Sequence, residues 1–297
     1  MRFGNRSSAK LRFALPSERL QPYVTTYYRT EITCPESEPF VEDWLLPEWP
    51  NIRILPAAIC DAAVGPKPMQ ESPLLSVSGP TSYATRFRLR SSRSWGVGLL
   101  PLGWAALFDA NAGDYADQTA DGLVDPAFAP IGPMANAIAE AKLSFEEELA
   151  VIEGHMERLI DAPPNRATAI NAINAALVDP ELTSVGELAE RVDMSIRSLE
   201  RLCKRTFGFA PKLLMRRQRF LRSLSQFMLD PTMKWLNTLD CQYHDQAHFV
   251  RDFKRFMCMS PSTYSKLEKP LLVAAARARM EIAGEAVQGL HDPDKSS

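Results

Sequence analysis

Long hydrophobic runs are missing from this chain of 297 residues. No stretch approaches the roughly 20 apolar residues that a bilayer-spanning helix needs. The N-terminus, MRFGNRSSAKLRF, is basic but has no apolar segment of the kind a signal peptide carries, so the chain is expected in the cytoplasm and off the membrane. Cysteine is scarce: Cys34, Cys60, Cys203, Cys241 and Cys258 are odd in number and widely scattered, and no two have the C-x-x-C spacing of a zinc knuckle. Reduced, partly buried thiols are the expectation. Neither sign of charge is in large excess, since the formal net charge is −2. Taken over the whole chain, that argues against a nucleic-acid ligand.

The distribution of charge argues the other way. Residues 181–267 hold 15 Lys+Arg against 9 Asp+Glu, whereas residues 1–180 hold 15 against 22 and the tail from 268 holds 4 against 5. A basic module is tethered to an acidic one. The apolar fraction of 45% and charged fraction of 24% are those of an ordinary globular protein, and the length suits two domains.

Residues 1–127 read as a β-rich domain. NIRILPA, LLSVSG, TRFRLRS and WGVGLLPLGW combine β-branched or aromatic residues with Gly and Pro breaks, and TRFRLRS alternates polar with apolar as a half-buried strand does. Trp44, Trp49, Trp95 and Trp104 cluster here, either as core or as the lining of a ligand pocket. Residues 128–164 turn helical, with apolar residues at three- and four-residue steps, and DAPPNRAT breaks that pattern. Everything from Ala167 onward reads as helix. Residues 165–268 form the basic module, and 269–297 an Ala-rich helix with a disordered polar end. The fold class is α+β.

An internal repeat lies inside the basic module. SIRSLERLCKRTFGFAPKLL, from Ser195, aligns with DQAHFVRDFKRFMCMSPSTY, from Asp245, at an offset of 50 residues. Arg201, Lys204, Arg205 and Pro211 then match Arg251, Lys254, Arg255 and Pro261, and apolar Leu199, Cys203 and Phe207 match Phe249, Phe253 and Met257. In the first copy Ser184 precedes Glu187 at capping-box spacing, and Val185, Leu188, Ala189 and Val192 give a short helix its buried stripe. Asp193 tolerates a left-handed turn, and Ser195 can cap a second helix with Leu199, Leu202 and Cys203 inward. Helix, tight turn, helix is a layout that binds DNA. The second helix leaves Arg197, Glu200, Arg201, Lys204 and Arg205 facing outward, forked donors for base edges and cations for phosphates. In the second copy Asp245 takes the capping place, with Gln246, Ala247, Val250 and Arg251 outward. A long helix from Pro211 joins the copies and carries Arg216, Arg217, Arg219 and Arg222.

On these motifs the span from about Ala167 to Lys266 resembles the DNA-binding domain of AraC/XylS-family transcription regulators. The resemblance implies a seven-helix domain in two lobes, each with a recognition helix for one of two successive major grooves. By motif position Arg197, Glu200 and Arg201 face bases in the first unit, and Gln246, Ala247, Val250 and Arg251 in the second. Ser198, Lys204, Arg205, His248, Lys254 and Arg255 are expected on phosphates. Three positions depart from the family pattern: Gln242 and Cys258 stand where Gly is usual, and Asn237 where an apolar residue is preferred. A positive φ at Gln242 would carry strain. LPSERLQPYVTTYYR, GPTS and GVGLLPLGWAALF resemble, more loosely, the sensor region of a subgroup of these regulators. That implies a cupin-like barrel, dimerisation helices, and as partners double-stranded DNA, RNA polymerase and a small-molecule effector, with no cofactor. Neither the effector nor the sign of regulation follows.

Two other functions compete. Metal-dependent chemistry would rest on His244, Asp245, His248 and Asp252, but a cap at Asp245 puts His244 before the helix, so the two rings do not share a face. A protein-binding adaptor would dock the basic helices on an acidic partner instead of DNA.

Overall fold

The computed structural model describes residues 2–3, 7–56, 59–229, 239–243 and 245–292. The strands are β1 (Arg2–Phe3), β2 (Ser7–Ala14), β3 (Val24–Thr33), β4 (Phe40–Leu45), β5 (Asn51–Ile54), β6 (Cys60–Val64), β7 (Gln70–Glu71), β8 (Leu75–Ser78), β9 (Thr85–Arg90), β10 (Ser92–Leu99) and β11 (Thr119–Asp121). They form two antiparallel sheets, ordered β1-β2-β3-β10-β5-β8-β11 and β4-β9-β6-β7. The alternation read in TRFRLRS is β9, where Thr85 and Leu89 are buried. Its Arg86 and Arg88 turn outward to Glu42, and its Arg90 to Asp61. Trp49, Trp95 and Trp104 are core, each at most 2% exposed, while Trp44 lines a cavity between the sheets.

The expected helical stretch 128–164 is interrupted. After α1 (Pro101–Leu107) come a 3₁₀ turn (Pro126–Ile131), α2 (Gly132–Glu140) and α3 (Phe145–Leu159). The break has a signal in the sequence: Ser144 and Glu147 form a reciprocal capping box that starts α3 afresh. The apolar side of α3 packs on its own sheet. Phe145 stacks on Trp95, and fully buried Glu148 accepts from the Trp95 indole at 2.6 Å and from Arg29 at 3.2 Å.

The all-α part contains α4 (Ala167–Val178), α5 (Val185–Arg191), α6 (Ile196–Phe207), α7 (Pro211–Leu229), α8 (Gln246–Met257), α9 (Pro261–Lys266) and α10 (Pro270–Ala283). A further helix expected near Asn237 lies outside the described residues, as does His244. The two parts share one core. Trp49 meets Phe207 of α6 edge-on at 5.7 Å, and a single buried cluster runs from Leu20, in the turn before β3, to Leu214 in α7.

After α10 the chain is described as far as Asp292, and the remainder of the polar end expected to be disordered lies outside the described residues. α10 packs along β2 and β4, and the chain then makes a 3₁₀ turn (Gln288–Leu290) whose Gln288 enters the sheet. Its amide takes a hydrogen bond from Asn51 Nδ2 at 3.0 Å. Gly98 makes room for it, since a Cβ there would come within 2.7 Å of Gln288 Nε2.

Candidate nucleic-acid interface

The first unit is built as its sequence dictates. Ser184 Oγ accepts from Glu187 N–H at 3.1 Å and starts α5, while the Glu187 carboxylate reaches back to Thr183 N–H at 3.0 Å, not to Ser184. Asp193 makes the turn at φ 49°, and Ser195 Oγ accepts from Ser198 N–H at 3.2 Å to cap α6. Leu199, Leu202, Cys203 and Phe207 are buried, and burial pushes the Cys203 thiol up to about 12, so this cysteine is inert packing. Arg197, Glu200, Arg201, Lys204 and Arg205 are exposed on the opposite side. Lys204 and Arg205 complement the negative end of the helix dipole. Gly208 ends α6 at φ 80°.

The second unit repeats this plan. Asp245 accepts from His248 N–H at 2.6 Å, Phe249, Phe253 and Phe256 point inward, and Gln246, Ala247, Arg251 and Lys254 are exposed. Val250 is half-buried. Cys258 ends α8 at φ 56°, the counterpart of Gly208 at the same offset. The strain foreseen at Gln242 is absent: it has no positive φ, and its amide donates to Leu182 O at 2.9 Å.

Several cations counted toward the basic face are spent internally. Asp252, fully buried, accepts from Arg216, from Arg219 at 3.2 Å and from the Tyr243 hydroxyl at 3.0 Å. Arg222 pairs with Asp240, and Arg191 with Asp179 and Glu187. Arg217 is wholly buried, its guanidinium 3.8 Å above the Trp49 ring and its Nη1 donating to Thr81 O at 3.0 Å. The four arginines of α7 are therefore structural and do not add to a DNA-facing charge. Two residues expected on phosphates have partners inside the protein. His248 takes a hydrogen bond from Arg219 at 3.1 Å and lies against Tyr243. Arg255 stacks 3.9 Å over Tyr83 and donates to Ser82 Oγ at 3.2 Å. Ser198 is half-buried, its hydroxyl held by Ser195. Asp245 caps α8 and Asp252 pairs with arginines, so both carboxylates are engaged within the protein.

Both recognition helices touch the sheet domain with their C-terminal ends. Ala112 N–H donates to Arg205 O at 2.8 Å, Ala84 N–H donates to Phe256 O at 2.7 Å, and a Cβ on Gly208 would come within 2.3 Å of Pro80. The motif GPTS (79–82) is the docking loop: Pro80 meets Gly208, Thr81 receives Arg217, and Ser82 receives Arg255. The N-terminal halves of α6 and α8 remain outward, the part of such helices that contacts base edges. Sequence reasoning missed Ile196, a large apolar side chain 51% exposed at the start of α6.

Behind this interface, between the two sheets and α10, lies a cavity of about 180 Å³. Leu45, Leu55, Phe87 and Leu89 line its apolar part, and Tyr28, Glu48, Asn51, Arg53 and Arg279 its polar end. Met228 of α7 also reaches it. Sequence reasoning named none of these residues except as strand formers. Arg279 did leave a signal, because it falls on the stripe of Leu272 and Ala276, a cation at a core position.

Residues 188–267 match the family model described as a helix-turn-helix domain. Among solved structures, ToxT from Vibrio cholerae is 10% identical at a TM-score of 0.43, with 87% of this chain and 97% of ToxT covered. ToxT bound to (E)-4-(8-methylnaphthalen-1-yl)but-3-enoic acid is 12% identical at a TM-score of 0.42, covering 87% of this chain and 98% of that one. The AraC-like transcriptional activator CuxR is 11% identical at a TM-score of 0.20, covering 72% and 86%. No curated protein matches in sequence.

Proposed function

We propose, on the premise that residues 188–267 form an AraC-type helix-turn-helix domain, that the chain is a sequence-specific DNA-binding transcription regulator controlled by a small molecule. The observation that carries this reading is the pair α6 and α8. Each is capped, each docks its far end on the sheet domain, and each presents its N-terminal half outward with an arginine in register, Arg201 and Arg251. Arg197, Glu200 and Arg201 read bases in one major groove, and Gln246, Ala247, Val250 and Arg251 in the next. Ile196 adds an apolar contact suited to a thymine methyl. Lys204, Arg205 and Lys254 neutralise phosphates, with Ser198 as a hydrogen-bonding contact. His248 and Arg255 act instead as struts within the protein. The cavity is the effector site, because its walls come from both sheets and from α10 and α7.

A homodimer working with RNA polymerase in the cytoplasm belongs to the same reading. Val124 and Leu143, both exposed near α2, supply apolar surface that a dimer would bury. The test is a shift assay of the full chain against random duplex DNA over a range of salt, followed by selection of its preferred site from a random pool. Retention of random duplex at low salt and enrichment of one site are expected. A protein-binding adaptor would enrich nothing.

A further inference from the structure

The polar end of the cavity holds a charge that the protein does not balance. Arg279 is 8% exposed, and its Nη1 has no hydrogen-bond partner among the described residues. None of the ion pairs among those residues includes it. After Tyr28, the group with the next electrostatic bearing on it is Glu48, and that carboxylate is already paired with Arg53 at 2.5 Å. Tyr28 is held neutral by burial, which raises its pKa, and its hydroxyl hydrogen-bonds to Asn51 Oδ1 at 3.2 Å. His291, the next cationic candidate, is pushed down to about 4 by burial and by the Arg279 charge, so it is neutral near pH 7. Burial also lowers Arg279, to about 10, which leaves it charged near neutral pH. The polar end thus carries one uncompensated positive charge.

The Phe13 ring, 5.4 Å from the guanidinium, is its aromatic neighbour. A buried cation without an anionic partner is costly, and an anion delivered to it recovers that cost. One net charge matches a monoanion and not a dianion. The remainder of the cavity fixes the rest of the ligand. Its Leu and Phe walls are apolar, and about 180 Å³ is room for a ring or a short chain. Tyr28 and Asn51 beside the arginine can orient a planar, hydrogen-bonding head group.

We propose that Arg279 is the charge-reading residue of this cavity and that its ligand is a small monocarboxylate with an apolar body. The proposal rests on the reading of the cavity as the effector site. It also says how that site reaches the DNA-binding region. Arg279 stands on α10, which follows the second helix-turn-helix unit in sequence, and Ala276 on the same helix face shares a buried cluster with Phe220 and Leu224 of α7. A carboxylate that draws on Arg279 acts directly on the helix that packs α7 against the sheets.

The experiment is calorimetric titration of the full chain near pH 7 with 3-phenylpropionate, 3-phenylpropanol and 3-phenylpropylamine, a set matched in shape and differing in charge. The carboxylate is expected to bind at least about tenfold tighter than the alcohol, with the amine weakest, as a charge-assisted hydrogen bond requires. Arg279→Gln should erase that preference, and Arg279→Lys should retain part of it. Circular dichroism of both variants separates a lost site from a lost fold. If alcohol and carboxylate bind equally, or if Arg279→Gln keeps the preference, the inference is overturned while the effector cavity stands. If none of the three binds, both are overturned.

Discussion

Arg201 and Lys254 occupy different places in the same repeated helix, and the proposed reading gives them different roles. Arg201 lies in the outward half of α6, where the proposed interface would put a forked donor against base edges. Lys254 lies a turn before the docked end of α8, where it would put a point charge against the backbone. Arg201→Ala should cost about 1–3 kcal/mol on the preferred site and relax selectivity at one base pair. Lys254→Ala should weaken all sequences about equally and lower the salt slope. A titration of each variant against single-base changes of the site measures both. An unchanged base profile for Arg201→Ala, with the profile lost in Arg251→Ala, would mean that the second unit carries the discrimination. Cys258 poses a question of stability. It holds the left-handed conformation at φ 56° that Gly208 holds in the first unit, and it lies at the end of α8 where glycine is the favoured residue. Cys258→Gly should stabilise the protein by up to about 1 kcal/mol, read as a higher urea midpoint. A lower midpoint would show that the thiol makes a contact worth more than the strain.

At the scale of elements, α10 is flanked at both ends by buried titratable groups of opposite pH behaviour. Asp43 of β4 accepts from Leu271 N–H at 2.6 Å and from Leu272 N–H at 3.1 Å, capping the helix from the other domain. Burial raises its pKa to about 6 against those hydrogen bonds. Its folded value lies above the unfolded one, so its contribution is full below about pH 4 and is lost as pH rises through about 6. His291, beyond the far end of α10, is depressed to about 4 by burial. Its contribution is present above about pH 6.5 and is lost as pH falls through about 4. Each amounts to about 3 kcal/mol, and between those limits they oppose each other. Asp43→Asn should therefore make urea stability fall more steeply than wild type on acidification from about pH 6.5 to 4.5, and His291→Gln should make it fall less or rise. Curves for both variants parallel to wild type would refute this arrangement.

Elements also show what could be read in advance. The two recognition helices were legible because cap, stripe and charge agree locally at Ser195 and Asp245 and recur at a fixed offset. The restart of α3 at Ser144 was equally local, a capping box inside a pattern otherwise read as continuous helix. The roles of Arg217, Arg255 and Gln288 were not legible. Their partners, Trp49, Tyr83 and Asn51, lie more than 150 residues away in sequence, and no local pattern encodes such a pairing. An arginine in an apolar stripe, at 217 or 279, is the trace such pairings leave.

Over the whole molecule, the charge asymmetry between residues 181–267 and the remainder is partly absorbed where the two parts meet. Arg217 and Arg255 close onto the sheet domain, while Arg216, Arg219 and Arg222 are neutralised among the helices. Exposed cations remain on both α6 and α8, so a chain with a net charge of −2 still offers basic surface on the two helices. The shared core and the GPTS docking loop make the sheet domain part of the scaffold that sets the spacing of the two helices. Whether those two helices read DNA as a pair is the central claim, and an equilibrium titration of the full chain tests it most directly. The duplex selected by the protein is compared with a random duplex of equal length across a range of salt. The account predicts that log K falls linearly with log salt for both duplexes and that the selected site binds at least about a thousandfold tighter, a margin reduced by Arg201→Ala and by Arg251→Ala. Equal affinity for the two duplexes, or no affinity at low salt, would contradict it.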